Sequence, residues 1–296
     1  MVYSKTDKKR TMIKNRKIIL DRRHITEQMM LLLMRLSALS ILAILLFILY
    51  TIANKGLKSL SWEMIFSLPE GGYYLGGSGG IANAIAGSLI MIAGSASIAI
   101  LLSLPIAFCI NFILKKEGWF SGLARFSMDI LFGIPSIVYG AFGFLIMIWL
   151  GLQASLLGGI IAVAFLILPI MVRAIDEVVM VVPHDLKESL QSLGATRYEM
   201  MKVILRSILP GVGSAIMLAI GRGIGDAATV LFTAGYTDSI PSNLTDPAAT
   251  LPLAIFFQLS SPMEEVQDRA YAAALILTII VLIISLLTRQ LTRRIK

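Results

Sequence analysis

The chain has one cysteine and two histidines in 296 residues. Cys109 has no partner for an intramolecular disulfide and sits in an apolar run, where a small buried apolar side chain is its ordinary role. His24 and His184 show no ligand spacing, which argues against a metal-dependent reaction centre. Charge is scarce too. Charged residues make up 15% of the chain, against roughly 25% in a soluble globular protein, too few to cover a chain of this size in water. Also missing are a Gly-x-x-x-x-Gly-Lys-Ser/Thr phosphate loop, a nucleophile elbow and paired metal ligands. The chain therefore does not hydrolyse ATP by that route, and no constellation points to an enzyme.

What is present is apolar length. Hydrophobic residues make up 57% of the chain and the mean hydropathy is +0.83. The runs predict six spans, near 30–53, 84–112, 126–150, 155–173, 208–234 and 269–288. The first follows a basic segment, but it is too long for the apolar part of a signal peptide and no small-x-small cleavage site follows it, so it reads as a retained helix. The predicted fold class is all-α integral membrane, with a basic cytoplasmic tail over 1–28 and one transmembrane domain over 29–296. The tail reads as solvated or bound to lipid headgroups.

The net charge of +8 does not indicate nucleic acid, because the basic residues cluster at the ends of apolar runs rather than on a face interleaved with aromatics. They crowd residues 1–28, the loop after the second span (Lys115, Lys116, Arg125), the segment 174–207 (Lys187, Arg197, Lys202, Arg206) and the C-terminus (Arg289, Arg293, Arg294, Lys296). By contrast, 54–83 carries only Lys55 and Lys58, and 236–268 carries none. Positive flanks stay cytoplasmic, so both termini are predicted inside. The outward segment 54–83 places Trp62 and Phe66 on one face of a short interfacial helix, followed by a flexible stretch over 71–80. It reads equally well as a contact for an external protein or as a linker with an aromatic anchor.

The segment 174–207 predicts a helix, a glycine elbow and a second helix. Asp185 is placed to cap the first, with Glu188 reaching back, and Leu186, Leu190 and Leu193 fall on one face. Gly194 is placed to end it in a left-handed conformation, and Thr196 with Glu199 forms a second capping box. A short amphipathic helix of this kind suits a groove on a partner. It equally suits a connector lying on the membrane, and the local pattern leaves both open.

Arg222 and Asp226 fall near the middle of the fifth span. A central charge costs roughly 2.5–3.5 kcal/mol on insertion scales, so such residues face a partner or a watery cavity. Four apart on a helix, they share a face and could pair with each other; alternatively Arg222 attracts an anion, for which its planar fork is suited. Gly221, Gly223 and Gly225 permit close approach of a helix or a substrate. Arg173, at the end of the fourth span, reads as a snorkelling anchor or as part of an inner mouth.

Glu188-Ser189-Leu190-Gln191-Ser192-Leu193-Gly194 resembles the cytoplasmic EAA loop of ABC importer permeases, with Ser189 and Leu190 where that family has two alanines. Longer blocks resemble the permeases of phosphate-specific ABC importers, the PstA type: Gly133-Ile134-Pro135-Ser136-Ile137-Val138-Tyr139-Gly140, Val172-Arg173-Ala174-Ile175-Asp176-Glu177, Gly221-Arg222-Gly223-Ile224-Gly225-Asp226 and Ala270-Tyr271-Ala272-Ala273-Ala274-Leu275. The resemblance implies a type I importer (MetI-like) fold in the cytoplasmic membrane of a prokaryote. It implies a second related permease subunit, two ABC ATPase subunits and an external phosphate-binding protein. This chain would carry no cofactor, ATP and magnesium acting in the ATPase. Asp185, Leu186, Glu188, Leu190, Gly194 and Ala195 would dock the ATPase. Arg173, Arg222 and Asp226 would be the pathway charges, Asp226 either orienting Arg222 or meeting a phosphate oxygen. Two other readings stand beside this one: an ABC permease for molybdate or sulfate, and an ion-coupled carrier that needs no ATPase.

Overall fold

Apolar runs of this length become helices because a helix satisfies its backbone polar groups within one segment, away from water. The computed structural model of the chain describes residues 3–73, 76–114 and 118–294, with side chains from His24 to Gln290 apart from Ile25 and His184. The basic side chains before His24, and those of Lys115, Lys116, Arg293, Arg294 and Lys296, lie outside the described residues. The elements are α1 (Tyr3–Ser59), α2 (Trp62–Phe66), α3 (Ala82–Phe108) continued by a π turn (Cys109–Ile113), α4 (Trp119–Gly133), α5 (Ser136–Trp149), α6 (Leu156–Met180), α7 (His184–Ser192), α8 (Arg197–Ile224), α9 (Leu251–Leu259) and α10 (Glu264–Arg294). Among the described residues, five helices are long and apolar enough to cross a membrane, within α1, α3, α6, α8 and α10.

The third span is not the straight helix expected over 126–150. α4 and α5 pass the same test only together, and they are bent by 99°. Pro135 is the cause. A residue before proline is pushed out of the helical region, and Ile134 is extended, at φ −71 and ψ 131. Pro135 then starts α5 as its N-cap. The Tyr139 hydroxyl donates to the Leu131 carbonyl across the bend at 2.8 Å. Counted as one broken span, the pair completes the six.

The fifth span also departs from expectation. Its helix begins at Arg197 and stops at Ile224, with Gly225 as C-cap, and 226–234 is in turns. Glycines at 221, 223 and 225 each lower helix propensity by about 1 kcal/mol relative to alanine. Non-helical backbone at membrane depth is tolerated only where protein covers it, and Thr229, Thr233 and Ala234 are fully buried. The chain's own groups pair it: Ser155 N donates to the Thr233 carbonyl at 2.9 Å and Ala248 N to the Ala234 carbonyl at 2.9 Å.

Packing divides the chain into Met1–Asn54 and Lys55–Lys296. In the first unit the described side chains up to Tyr50 are all exposed. In the second, α6 is the centre, contacting α3, α4, α5 and α8. Its buried Ile160, Val163, Ile167, Met171, Ile175 and Val179 recur every three or four residues, which carries the helix to Met180 rather than the expected 173.

The stretch over 71–80, expected to be flexible, is pinned where it is described. Arg269 of α10 donates to the carbonyls of Tyr73 at 3.1 Å and Gly77 at 2.7 Å, and its guanidinium lies 4.7 Å from the centre of the Tyr73 ring. Trp62 and Phe66 share one face of α2 as expected, their rings stacked at 5.8 Å and both exposed.

α9 is fixed to α3 at its first turn, where the Ser88 hydroxyl accepts from Leu251 N at 2.8 Å. A Cβ on the neighbouring Gly87 would lie 2.0 Å from the Ala249 carbonyl oxygen. Gly87→Ala is therefore expected to destabilise the protein by about 1–3 kcal/mol, read as a lowered Tm in detergent; an unchanged Tm would show that 249–251 is not held against α3.

Candidate functional site

Two places concentrate chemistry that burial alone does not need: the elbow between α6 and α8, and the charged end of α8. The elbow is built by local rules. Gly194 adopts φ +77, a conformation glycine reaches without a Cβ penalty. Ala195 N donates to the Leu190 carbonyl at 3.0 Å and Gly194 N to the Gln191 carbonyl at 2.9 Å, the paired bonds of a Schellman stop. Thr196 and Glu199 form the expected capping box, with Thr196 N donating to the Glu199 carboxylate at 2.8 Å. The first expected box does not form. Pro183 is the N-cap of α7, with no side-chain bond, and Asp185 falls in the first turn. Proline's fixed φ already sets the chain for a helix there, so Asp185 serves the helix dipole instead. Leu186 and Leu190 are half-buried, while Leu193 is 83% exposed, as are Val181 and Tyr198 elsewhere in the segment, at 82% and 73%. The one-face expectation for the three leucines thus holds for two of them. These exposed side chains leave apolar surface on a segment that lies between two spans.

At the end of α8 the pairing of Arg222 with Asp226 does not occur. Because the helix stops at Ile224, Asp226 leaves the face of Arg222, and its carboxylate accepts from Thr229 N at 2.8 Å. Thr229 in turn donates its hydroxyl to the Ser136 carbonyl at 3.1 Å. Asp226 is thus a cap on the buried turn segment, and it holds that segment against the first turn of α5. Arg222 is exposed, and among the described residues no carboxylate lies within 4.0 Å of it. Of the flanking glycines, only Gly223 packs: a Cβ there would lie 2.9 Å from Ile167 and 3.0 Å from Ile92. A Cβ on Gly221 would meet open space, and one on Gly225 only the Gly221 carbonyl oxygen at 3.8 Å.

Arg173 is engaged elsewhere. Its Nε lies 3.4 Å from a carboxylate oxygen of Asp129 on α4 and 3.4 Å from one of Glu177. Arg173, Arg222 and Asp226 therefore share no ion pair or hydrogen-bond partner among the described residues. Between α6 and α8 runs an open groove of about 320 Å³, lined by Ala174, Glu177, Val178, Gly211, Ser214 and Leu218 among others. Arg222 stands one helical turn beyond Leu218 on the same face.

One cluster was missed in the sequence. Asp176, 2% exposed, accepts from Arg125 Nε at 2.8 Å and from the Asn111 amide at 2.6 Å. Its signal was the apolar period of α6 continuing past 173. Arg125, counted above as a cytoplasmic flank, is 20% exposed and clamped.

The profile of the family described as "Binding-protein-dependent transport system inner membrane component" matches residues 99–296. The chain is 32% identical over 271 residues to the "Phosphate transport system permease protein PstA" of Pasteurella multocida, covering 90% of this chain and 94% of that protein. It is 35% identical over 249 residues to the protein of the same description from Xylella fastidiosa, covering 82% and 84%. Among solved structures, the inward-facing MetNI methionine ABC transporter is similar at a TM-score of 0.61 and 17% identity, covering 80% of this chain and 100% of that chain. A bacterial transporter that imports alginate is similar at 0.52 and 18%, covering 76% and 82%. The fold is that of ABC importer permeases.

The geometry separates two roles for Asp226. As a cap, Asp226→Asn keeps an oxygen for Thr229 N and should retain most transport, while Asp226→Ala should cost about 1 kcal/mol of stability and most of the activity. Loss of transport in Asp226→Asn with unchanged stability would instead make the charge itself essential.

Proposed function

The chain belongs to the family of binding-protein-dependent transport system inner membrane components, and on that premise we propose that it is a permease subunit of an ATP-driven importer of inorganic phosphate. One observation carries the reading: Arg222, on a helix long and apolar enough to span a membrane, is exposed, and among the described residues no carboxylate lies within 4.0 Å of it. Facing lipid, that charge would cost roughly 2.5–3.5 kcal/mol or more. It belongs instead beside water or a second subunit, on a pathway where an oxyanion supplies its partner. The phosphate transport permeases at 32% and 35% identity support phosphate as the anion.

In this reading a second, related permease faces α6 and α8, and two ATPase subunits sit below. An external phosphate-binding protein delivers the cargo. Both termini and the elbow are cytoplasmic, the basic tail 1–28 lies at the headgroups, and 29–296 is one transmembrane domain. ATP and magnesium act in the ATPase, and this chain contributes docking. Asp185, Leu186, Glu188, Leu190, Gly194 and Ala195 form the surface that the ATPase grips, with the exposed Leu193 at its edge. Closing of the ATPase dimer moves the elbow and rocks the spans between inward- and outward-facing states. Arg222 stabilises the passing anion. Arg173 joins it by exchanging a carboxylate for a phosphate oxygen, and Asp226 keeps Arg222 in place through the turn it caps.

Deletion of the gene in phosphate-starved cells should abolish high-affinity uptake of labelled phosphate, with no competition by excess sulfate or molybdate in the parent. Loss of another oxyanion's uptake instead would keep the architecture and replace the substrate. Arg222→Gln should assemble normally, because no carboxylate loses a partner, and should cut uptake about 10- to 100-fold, the worth of one charged hydrogen bond. Gly194→Glu forces a side chain into a left-handed residue at about 1–2 kcal/mol and sets charge on the docking edge. Uptake should then be lost, whereas a carrier that needs no ATPase would keep it.

A further inference from the structure

The Asn111–Arg125–Asp176 cluster is built more elaborately than a structural tie requires. Asp176 is 2% exposed. Arg125 grips both of its oxygens, Nε to one at 2.8 Å and Nη2 to the other at 3.2 Å. Arg125 also donates to the Ser121 hydroxyl at 2.9 Å and to the Asn111 side-chain oxygen at 3.4 Å. The Asn111 amide donates to Asp176 at 2.6 Å and to the Ala107 carbonyl at 2.9 Å. Three elements meet there: the π turn, α4 and α6. Desolvation offsets much of the attraction in a buried ion pair, so stability is a poor explanation for one, and fixing a register or a switch is the best-attested use. The π turn is a second, independent sign, since such turns recur at functional sites.

The same π turn is touched from the elbow. Arg197, the first residue of α8 after the elbow, donates to the Ile113 carbonyl at 3.2 Å. Lys187 of α7 places its ammonium 5.8 Å from the centre of the Phe112 ring. Three consecutive residues of the π turn therefore have separate duties: Phe112 and Ile113 meet the elbow, and Asn111 meets the clamp. On the far side, Arg125 sits midway along α4, and α4 ends at the Pro135 bend. The next helix there accepts the Thr229 hydroxyl, in the turn that Asp226 caps directly after Arg222.

We propose that Asn111, Arg125 and Asp176 are positioning residues that transmit displacement of the α7–α8 elbow, through the π turn, to α4 and onward to the bend, where Ser136 holds the turn that follows α8. The inference rests on the elbow being an ATPase docking site, as proposed above. Asn111 is the joint, because it links the turn to a clamp that stands without it. Removing its amide should leave the Arg125–Asp176 pair, and hence the fold, in place while disconnecting the elbow.

The test uses the whole complex, with partner permease, ATPase and binding protein, in proteoliposomes. Cys109, half-buried in the π turn itself, is the probe, its alkylation by N-ethylmaleimide followed by peptide mass spectrometry. In the parent, ATP with vanadate should change the alkylation rate. In Asn111→Ala that change should vanish and phosphate carried per ATP hydrolysed should fall about tenfold, a typical coupling strength, while ATP hydrolysis continues. A parent-like nucleotide response and stoichiometry in Asn111→Ala would overturn the proposal, as would a parent whose Cys109 ignores nucleotide. If Asn111→Ala does not assemble, the isosteric Asp176→Asn is read by the same two measurements; failure of both to assemble makes the cluster a structural tie and also overturns it. A parent that hydrolyses ATP but imports no phosphate would overturn the substrate reading alone, and the Cys109 response, which needs no substrate, would still decide this one.

Discussion

Away from water a polar group without a partner costs several kcal/mol, and this constraint orders the chain more than any single contact. It makes α6 the centre of the body, since only a helix covered on most sides can carry a buried carboxylate such as Asp176, and only with Arg125 and Asn111 in attendance. It lets the turn segment 226–234 exist at all, because Ser136, Ser155 and Ala248 supply partners to its threonines and carbonyls. It also bears on the open end of α8. The exposed Arg222 obeys the rule only if something outside this chain, water or protein, covers that face.

What could be read from the sequence was what depends on few neighbours. Gly194 and the Thr196–Glu199 box needed only glycine's freedom and a spacing of three, and both stand where expected. That Trp62 and Phe66 share one face of α2 followed from a spacing of four. Hydropathy placed the spans because the bilayer imposes one length on all of them. The same averaging hid the interruptions. A window over 126–150 passes through Pro135 without registering the bend, and one over 208–234 passes through three glycines without registering that the helix ends. The pairing of Arg222 with Asp226, one of the two readings left open, fails for the same reason: only had α8 continued to residue 234 would Asp226 have faced Arg222.

Contacts between distant residues were out of reach. Arg125 and Asp176 stand 51 positions apart, and nothing local in either neighbourhood names the other. Arg125 looked like a cytoplasmic flank because the apolar run beside it starts one residue later. Asp176 looked cytoplasmic because the charges of Arg173 and Glu177 had already closed the span. Arg269 pinning the 71–80 stretch is the same case. A glycine-rich sequence is flexible by default, and a donor nearly two hundred residues away ties down the carbonyls of Tyr73 and Gly77.

Three arginines on the transmembrane bundle show how one residue type takes graded electrostatic roles. Arg125 is locked, with a carboxylate almost wholly removed from water. Arg173 is held between Asp129 and Glu177, whose side chains are 50% and 61% exposed; pairs so open to solvent are worth about 0–1 kcal/mol each. Arg222 has no such partner among the described residues. On the proposed reading this gradient is the order needed. The locked arginine keeps a joint, and one that must move with the bundle cannot also bind cargo. The exchangeable one gives up a weak carboxylate for a phosphate oxygen at little cost. The open one attracts the anion first, because it has no internal bond to break.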